Sequence, residues 1–403
     1  MNNSNTSLII GSDKKGKDIS LDGYQHIMLM APTGAGKGVS FVLPNLLSYQ
    51  ESVIVHDIKG ENFEITSGWR NSQGQKIFKF DPLNSYGKTH CYNPLDYLSH
   101  DHNLRLNEIS KMAEILMPNH HCSHSKHAHE HNGARYLFAA ITLYLLATPS
   151  KTKSLGEIYR IVMGDVTKEL KSALEKAKLD SHTKMLINNF LSQSDKVRAK
   201  IVANLAAHLE IWGNPSVDKA TEKSDFNPAN FKKELSSLYI VLHPSDINYL
   251  KPLMQFFYQH IAQILAHHGD EKEHGVTIML DEFTTLGKMP LFVTMIPYFR
   301  GYKIRLCLVA QDLNSLQLSY CENTAYVLLN NCTYKIMYST NDFSTAIFAS
   351  EISDEEVVPE DLMCMPKDKQ LFITDFETAQ ITDKIVYYDK KELKDRVMKP
   401  AEI

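Results

Sequence analysis

The sequence predicts an α/β fold, a mainly parallel sheet covered by helices and interrupted by an all-α insertion. Three observations predict it. Short apolar runs alternate with helical stretches. The first of the clear runs meets a Gly-rich turn that opens directly into a helix. From about Asn103 to Lys233 the β-rich runs stop, and afterwards they return. Strands that alternate with helices pair in parallel, because a crossover helix is what carries the chain back to the same end of the sheet. The 403 residues suffice for two or three domains. The expected division is a first α/β part at 1–102, an all-α domain at 103–233, and the rest of the α/β domain at 234–403.

In order along the chain, residues 1 to about 25 are polar, with a turn-like stretch at 11–16. An apolar strand is expected at 27–30, then a Gly-rich turn at 33–38 and a helix at 39–48. Strands follow at 52–55 and 76–80. The insertion reads as amphipathic helices at 104–117, 133–147, 154–163, 166–179 and 196–210. Strands return at 238–242, 276–280, 304–309, 334–338 and 370–374.

Composition removes several classes. The 47 acidic and 43 basic residues leave a net charge of -4, so DNA contact has to come from a local patch. The six cysteines form no C-x-x-C pair, which suits reduced thiols in a cytosolic compartment. Residues 1–7 are polar and resemble no signal peptide. The longest apolar run, 136–147, falls short of the ~20 residues that span a bilayer. The expectation is a soluble chain, with room for an anchor in a longer parent protein.

The central motif is Ala31-Pro32-Thr33-Gly34-Ala35-Gly36-Lys37-Gly38. The P-loop pattern is G-x-x-x-x-G-K-[ST]. Gly36 and Lys37 keep it, whereas Ala31 and Gly38 depart from it. The preceding strand and following helix strengthen the match, since backbone amides and a helix N-terminus favour phosphate. Thr33, Gly34, Ala35, Gly36, Lys37, Gly38 and Val39 are therefore expected to contact ATP. Gly38 lacks the hydroxyl that usually ligates Mg²⁺. The metal then relies on water and a distant carboxylate, for which Asp281 is the candidate. Asp281 and Glu282 end the apolar run 276–280. Asp281 is expected in the Mg²⁺ shell and Glu282 as general base for the attacking water.

Other residues keep two readings. Gln311 ends a strand on the ligand-binding side and either senses the γ-phosphate or occupies a turn. Arg300 either reaches a neighbour's γ-phosphate or is a solvated surface residue. Asp57 and Glu61 either line the site or cap the next helix. Six histidines and Cys122 within 120–131 either bind a metal or form a polar loop. Lys168, Lys171, Lys176, Lys178, Lys184, Lys196, Arg198 and Lys200 either track phosphates or face solvent.

These segments together resemble the coupling proteins of type IV secretion and conjugation systems, TraG-like ATPases related to the FtsK/HerA motors. The resemblance rests on the P-loop segment 26–38, Asp57-Ile58-Lys59-Gly60-Glu61-Asn62, Asp81-Pro82-Leu83, Tyr92-Asn93-Pro94-Leu95, Leu280-Asp281-Glu282-Phe283, Leu286-Gly287, Val309-Ala310-Gln311-Asp312-Leu313 and Met365-Pro366-Lys367-Asp368-Lys369-Gln370-Leu371. It implies a RecA-like nucleotide domain with an all-α insertion and ATP sites shared in a homohexamer. It implies a place at the cytoplasmic face of a bacterial inner membrane, with membrane contact through a segment outside this chain. Its implied partners are other secretion components, with relaxase-bound DNA, protein effectors or both as cargo. Lys37, Asp281 and Glu282 match the family's nucleotide motifs. Arg300 falls at its trans-acting arginine and Gln311 at its strand-end glutamine. Glycine at position 38 is similar to many members. Two other functions stay open: a nucleotide-binding docking adaptor with little hydrolysis, and an FtsK-like DNA translocase.

Overall fold

A computed structural model describes residues 6–84, 86–118, 128–267, 274–375 and 378–403. The chain divides into two units, one of Met1–Phe80, Pro228–Lys251 and Ile261–Ile403, the other of Asp81–Asn227 and Pro252–His260. The breaks fall at 80/81 and 227/228, whereas 102/103 and 233/234 were expected from sequence.

The first unit holds an eleven-stranded sheet. Its strands are β1 (Leu8–Ser12), β2 (Asp18–Leu21), β3 (Ile27–Met30), β4 (Ser52–Ile58), β5 (Lys76–Phe80), β6 (Ser236–Leu242), β7 (Val276–Leu280), β8 (Ile304–Ala310), β9 (Tyr334–Met337), β10 (Lys369–Thr374) and β11 (Gln380–Asp383). The order across the sheet is β2-β1-β11-β10-β9-β3-β8-β7-β4-β6-β5. From β9 to β5 all neighbours run parallel. From β9 to β2 they run antiparallel. The mainly parallel sheet is thus as the sequence predicts, with an antiparallel wing added.

Every residue of β3, β6, β7 and β8 is buried. That suits their mostly apolar composition, because strands covered on both faces do not alternate. Leu29, Val42, Leu46, Val55, Met279, Val309 and Ile336 share one core. The polar reading of residues 1–25 needs correction, since they contain the hairpin β1–β2. Leu8, Ile10 and Leu21 are buried, while Asp13 folds the turn by accepting the Lys15 and Lys17 amides at 2.8 and 2.9 Å.

The second unit is helical among its described residues. Its longer helices are His102–Leu116, Ala128–Ala147, Leu155–Met163, Val166–Lys176, Ser181–Ser192 and Asp195–Leu209. Asp101, Ser154, Asp165 and Asp180 cap four of them through side-chain oxygens, the usual way to satisfy a first turn's free amides. Ile109, Phe138, Ile141, Leu145, Ile187 and Leu205 fill the core. Helix Ile247–Leu265 supplies Phe256, whose ring meets the buried Trp212 edge-on.

Candidate functional site

Four neighbouring strands bring the expected residues to one end of the sheet. β3 pairs with β8 at Met30 and Ala310, β8 with β7 at Leu308 and Leu280, and β7 with β4 at Leu280 and His56. The residues just beyond, Ala31, Gln311, Asp281 and Asp57, therefore emerge side by side at carboxyl ends. This is where open parallel sheets bind ligands, because loops from adjacent strands diverge there.

The turn after β3 needs its glycines. Gly34 and Gly36 have φ of +79° and +86°, where a Cβ is strained. The turn then opens into a π-type turn at Gly38–Val42, continued by helix Leu43–Leu46. Thr33 and Gly34 are exposed or nearly so, and Ala35 to Val39 are part-buried. Ser40 Oγ donates to the Gly36 carbonyl at 2.7 Å and meets Tyr338 Oη at 2.7 Å.

Lys37 forms an ion pair with Glu282, both side chains mostly shielded from solvent. Gln311 Nε2 donates to the other Glu282 oxygen at 3.1 Å. The structure thus joins three expected residues from three strand ends. Glu282 has φ of +57°, a strained backbone for a non-glycine residue that is found mostly where surroundings demand it, often at functional sites.

Asp281 sits beside this pair, its Oδ1 shielded from solvent and accepting no hydrogen bond. Such an orphaned acceptor fits a cation or its water shell. Among the described residues no three His, Cys, Asp or Glu side chains form a metal cage. Mg²⁺ needs none, since it commonly takes one or two carboxylates and completes its shell with phosphate and water.

Asp57 caps helix Glu61–Ser72, accepting the Asn62 and Phe63 amides at 3.1 and 2.8 Å. The capping reading accounts for it, yet it also lies close enough to Asp281 for their charges to repel. Burial, which penalises the ion, pushes Asp57 up to about 7, and the Asp281 charge adds to this. Burial likewise raises Asp281 to about 6, with Lys37 opposing and Glu282 reinforcing the shift.

Residues 2–356 match the family described as Type IV secretory system Conjugative DNA transfer. The chain belongs to that family. It is 32% identical over 336 residues to the VirD4 protein of Rhizobium radiobacter, covering 82% of this chain and 48% of VirD4. The chain therefore spans about half the length of the VirD4 relatives it matches. Among solved structures, the bacterial conjugative coupling protein TrwBdeltaN70 is similar with a TM-score of 0.71 at 13% identity, covering 94% of this chain and 89% of that one. TrwB in complex with ADP and Mg²⁺ gives a TM-score of 0.69 at 14% identity, covering 90% and 85%. The likeness shows that this family member has the RecA-like P-loop fold with a helical insertion.

Arg300 lies apart from this cluster. It is exposed, in the turn Arg300–Tyr302 that leads into β8, whereas Gln311 follows the last residue of that strand. The two are separated by a strand length, roughly 20 Å at ~3.3 Å per residue. In the insertion, Lys168, Lys171, Lys176, Lys178, Lys184 and Lys196 are exposed. Lys200 pairs with Glu130 at 2.8 Å, and Arg198 is held by Asp195 and by the Leu191 and Gln193 carbonyls. Of the histidine run, residues 120–127 lie outside the described residues. No described helix is long and apolar enough to cross a membrane, and no disulfide joins the five described cysteines.

Sequence reasoning missed Ser40, Tyr338 and Lys384. Tyr338 directly follows β9, the other neighbour of β3, so the strand-end rule that found Gln311 also reaches it. Lys384 follows β11 in the antiparallel wing, and no local pattern points to it.

The two raised carboxyls set a pH dependence. An aspartate in an unfolded chain titrates near ~4, so the folded protein holds these protons more tightly. Stability from this source is fully present below about pH 4 and is lost as pH rises to about 7. Without nucleotide, urea unfolding should show the protein on the order of 4 kcal/mol less stable at about pH 7.5 than at about pH 5 from these groups. Asp57→Asn and Asp281→Asn should each flatten that slope, and an unchanged slope in both would remove them as its source.

Proposed function

We propose that this chain is the ATP-hydrolysing part of a type IV secretion coupling protein, using hydrolysis to deliver relaxase-bound DNA or protein effectors to the secretion channel. The observation that carries it is the joining of Lys37, Glu282 and Gln311 at the carboxyl ends of β3, β7 and β8, beside Asp281. TrwB structures with ADP and Mg²⁺ and with an ATP analogue support the ligand class.

In this reading, the amides of Thr33 to Val39 bind the phosphates. Lys37 exchanges Glu282 for the β- and γ-phosphates, both anions. Freed of that partner, Glu282 orients the attacking water and takes its proton, while Gln311 holds the carboxylate in place. Asp281 holds Mg²⁺ through its open oxygen. The ion, when bound there, would supply neutralisation of the charge that develops on the phosphates. Arg300 acts from a neighbouring subunit in a homohexamer, which suits an exposed position a strand away from its own site. The helical unit serves cargo recognition, with the exposed lysines available to phosphate. The membrane location belongs to the assembled secretion system.

The test is ATP binding and turnover by the wild type and Lys37→Ala, across protein concentrations and with or without single-stranded DNA. Wild type should turn over ATP faster as it assembles. Lys37→Ala should weaken ATP binding at least ~10-fold, the cost of a charged hydrogen bond of ~1.5–3 kcal/mol. Binding without turnover under every condition favours the docking adaptor. Strong DNA stimulation with no dependence on a secretion partner favours a DNA translocase.

A further inference from the structure

The P-loop accounts for the phosphates of a nucleotide, but not for its base and sugar. A cleft of 540 Å³ runs along the outer flank of this loop, within the usual range of ~300–1,000 Å³ for small-molecule sites. Gly34, Gly36 and Val39 form one side, and Lys384, Tyr388 and Asp389 from the C-terminal segment line it as well.

Both sides are fastened together. The Tyr387 amide donates to the Val39 carbonyl at 3.0 Å. Lys384 Nζ donates to the Ala35 carbonyl at 3.2 Å and lies 3.5 Å from the centre of the Tyr338 ring. Tyr338 in turn meets Ser40, which holds the Gly36 carbonyl. The antiparallel wing is thereby tied to the phosphate loop through three carbonyls, and the cleft has built walls.

Resting on the ATP-binding reading above, we propose that this cleft receives the nucleoside half of the nucleotide, with Tyr388 stacking on the base and Lys384 holding the sugar–phosphate junction. Tyr388 is 49% exposed, which leaves ring surface for a base. Stacking on an aromatic face is tolerant of base identity, because every base has a π-face. Asp368 and Asp389 line the same cleft and supply acceptors for ribose hydroxyls. Lys384 is half-buried, and burial lowers it to about 8 against the pull of Asp368. An anion beside it would relieve that penalty.

The experiment titrates wild type, Tyr388→Ala, Tyr388→Phe, Lys384→Met and Lys384→Arg with MgATP and, separately, with Mg-tripolyphosphate, by calorimetry. Tripolyphosphate reports on the P-loop alone. Tyr388→Ala should weaken MgATP roughly tenfold, the size of one lost base stack, and leave tripolyphosphate unchanged. Tyr388→Phe should bind as wild type. Lys384→Met should weaken MgATP more than tripolyphosphate, and Lys384→Arg should restore most of that loss. Unchanged MgATP binding by Tyr388→Ala overturns the nucleoside pocket while the P-loop reading stands. Equal losses for both ligands overturn it too, since the residues would then only brace the loop. Failure of wild type to bind either ligand overturns the ATP reading itself, and the pocket with it.

Discussion

Glu282→Gln should lower ATP hydrolysis ~10²–10⁴-fold, the usual contribution of a positioned general base, while ATP binding is retained or tightened. The asymmetry follows from the ion pair. Glu282 is the partner of Lys37, and this pairing competes with the phosphates for the same ammonium. An amide accepts a proton poorly and attracts the ammonium less, so the substitution removes the base and frees the lysine together. Gln311, whose amide now meets Glu282 at 3.1 Å, can still bond to the new side chain and hold its position. Single-turnover hydrolysis and equilibrium binding of MgATP separate the two effects. A loss smaller than about tenfold in the chemical step removes Glu282 from the role of base. Binding that weakens in parallel with turnover would make it a structural residue instead.

Arg300→Ala should reduce turnover in the assembled protein by ~10³–10⁵, as loss of an arginine that stabilises phosphoryl-transfer charge does. The structure sets the manner of that loss. Arg300 is exposed at the start of β8, with its own Lys37–Glu282 pair at the far end of the parallel strands. At that distance it is too far to serve its own site, so an effect on turnover has to come through a neighbour. Mixing Arg300→Ala with Lys37→Ala should restore part of the activity. A Lys37→Ala subunit still offers its arginine to the intact P-loop of an Arg300→Ala subunit. Steady-state turnover across mixing ratios measures this, in subunits shown to co-assemble. No restoration in such mixed assemblies defeats the shared-site arrangement, whereas equal activity of Arg300→Ala and wild type leaves the arginine a surface residue.

Legibility differed by region. Strands β3 and β7 stand where their apolar runs lie in sequence, because strands covered on both faces carry few polar residues, and the partly exposed edge strand β5 also stands at the expected 76–80. The hairpin β1–β2 and strand β11 escaped notice. They belong to the antiparallel wing at one edge of the sheet, where part-exposed residues dilute the pattern. Helix Ser181–Ser192, capped by Asp180, falls within the insertion read as all-helical. In the site, Lys37, Asp281 and Glu282 were readable from motifs. Ser40 and Lys384 were not, since no local spacing marks them, and Tyr338 was reachable only through the strand-end rule.

By itself, the sequence determined the chemistry on offer: a glycine-lined turn before a helix, a lysine within it, and two acids at the end of a buried strand. These are local properties, set by backbone conformation and by where apolar runs stop. Only the tertiary structure decided that β7 and β8 lie between β3 and β4, so that Lys37 meets Glu282 and Asp57 repels Asp281. It also decided that Arg300 lies at the opposite end of β8 from Gln311 and that the C-terminal segment lines a cleft beside the P-loop. Strand order is a long-range outcome of packing, because residues hundreds of positions apart become neighbours only once the whole sheet has formed.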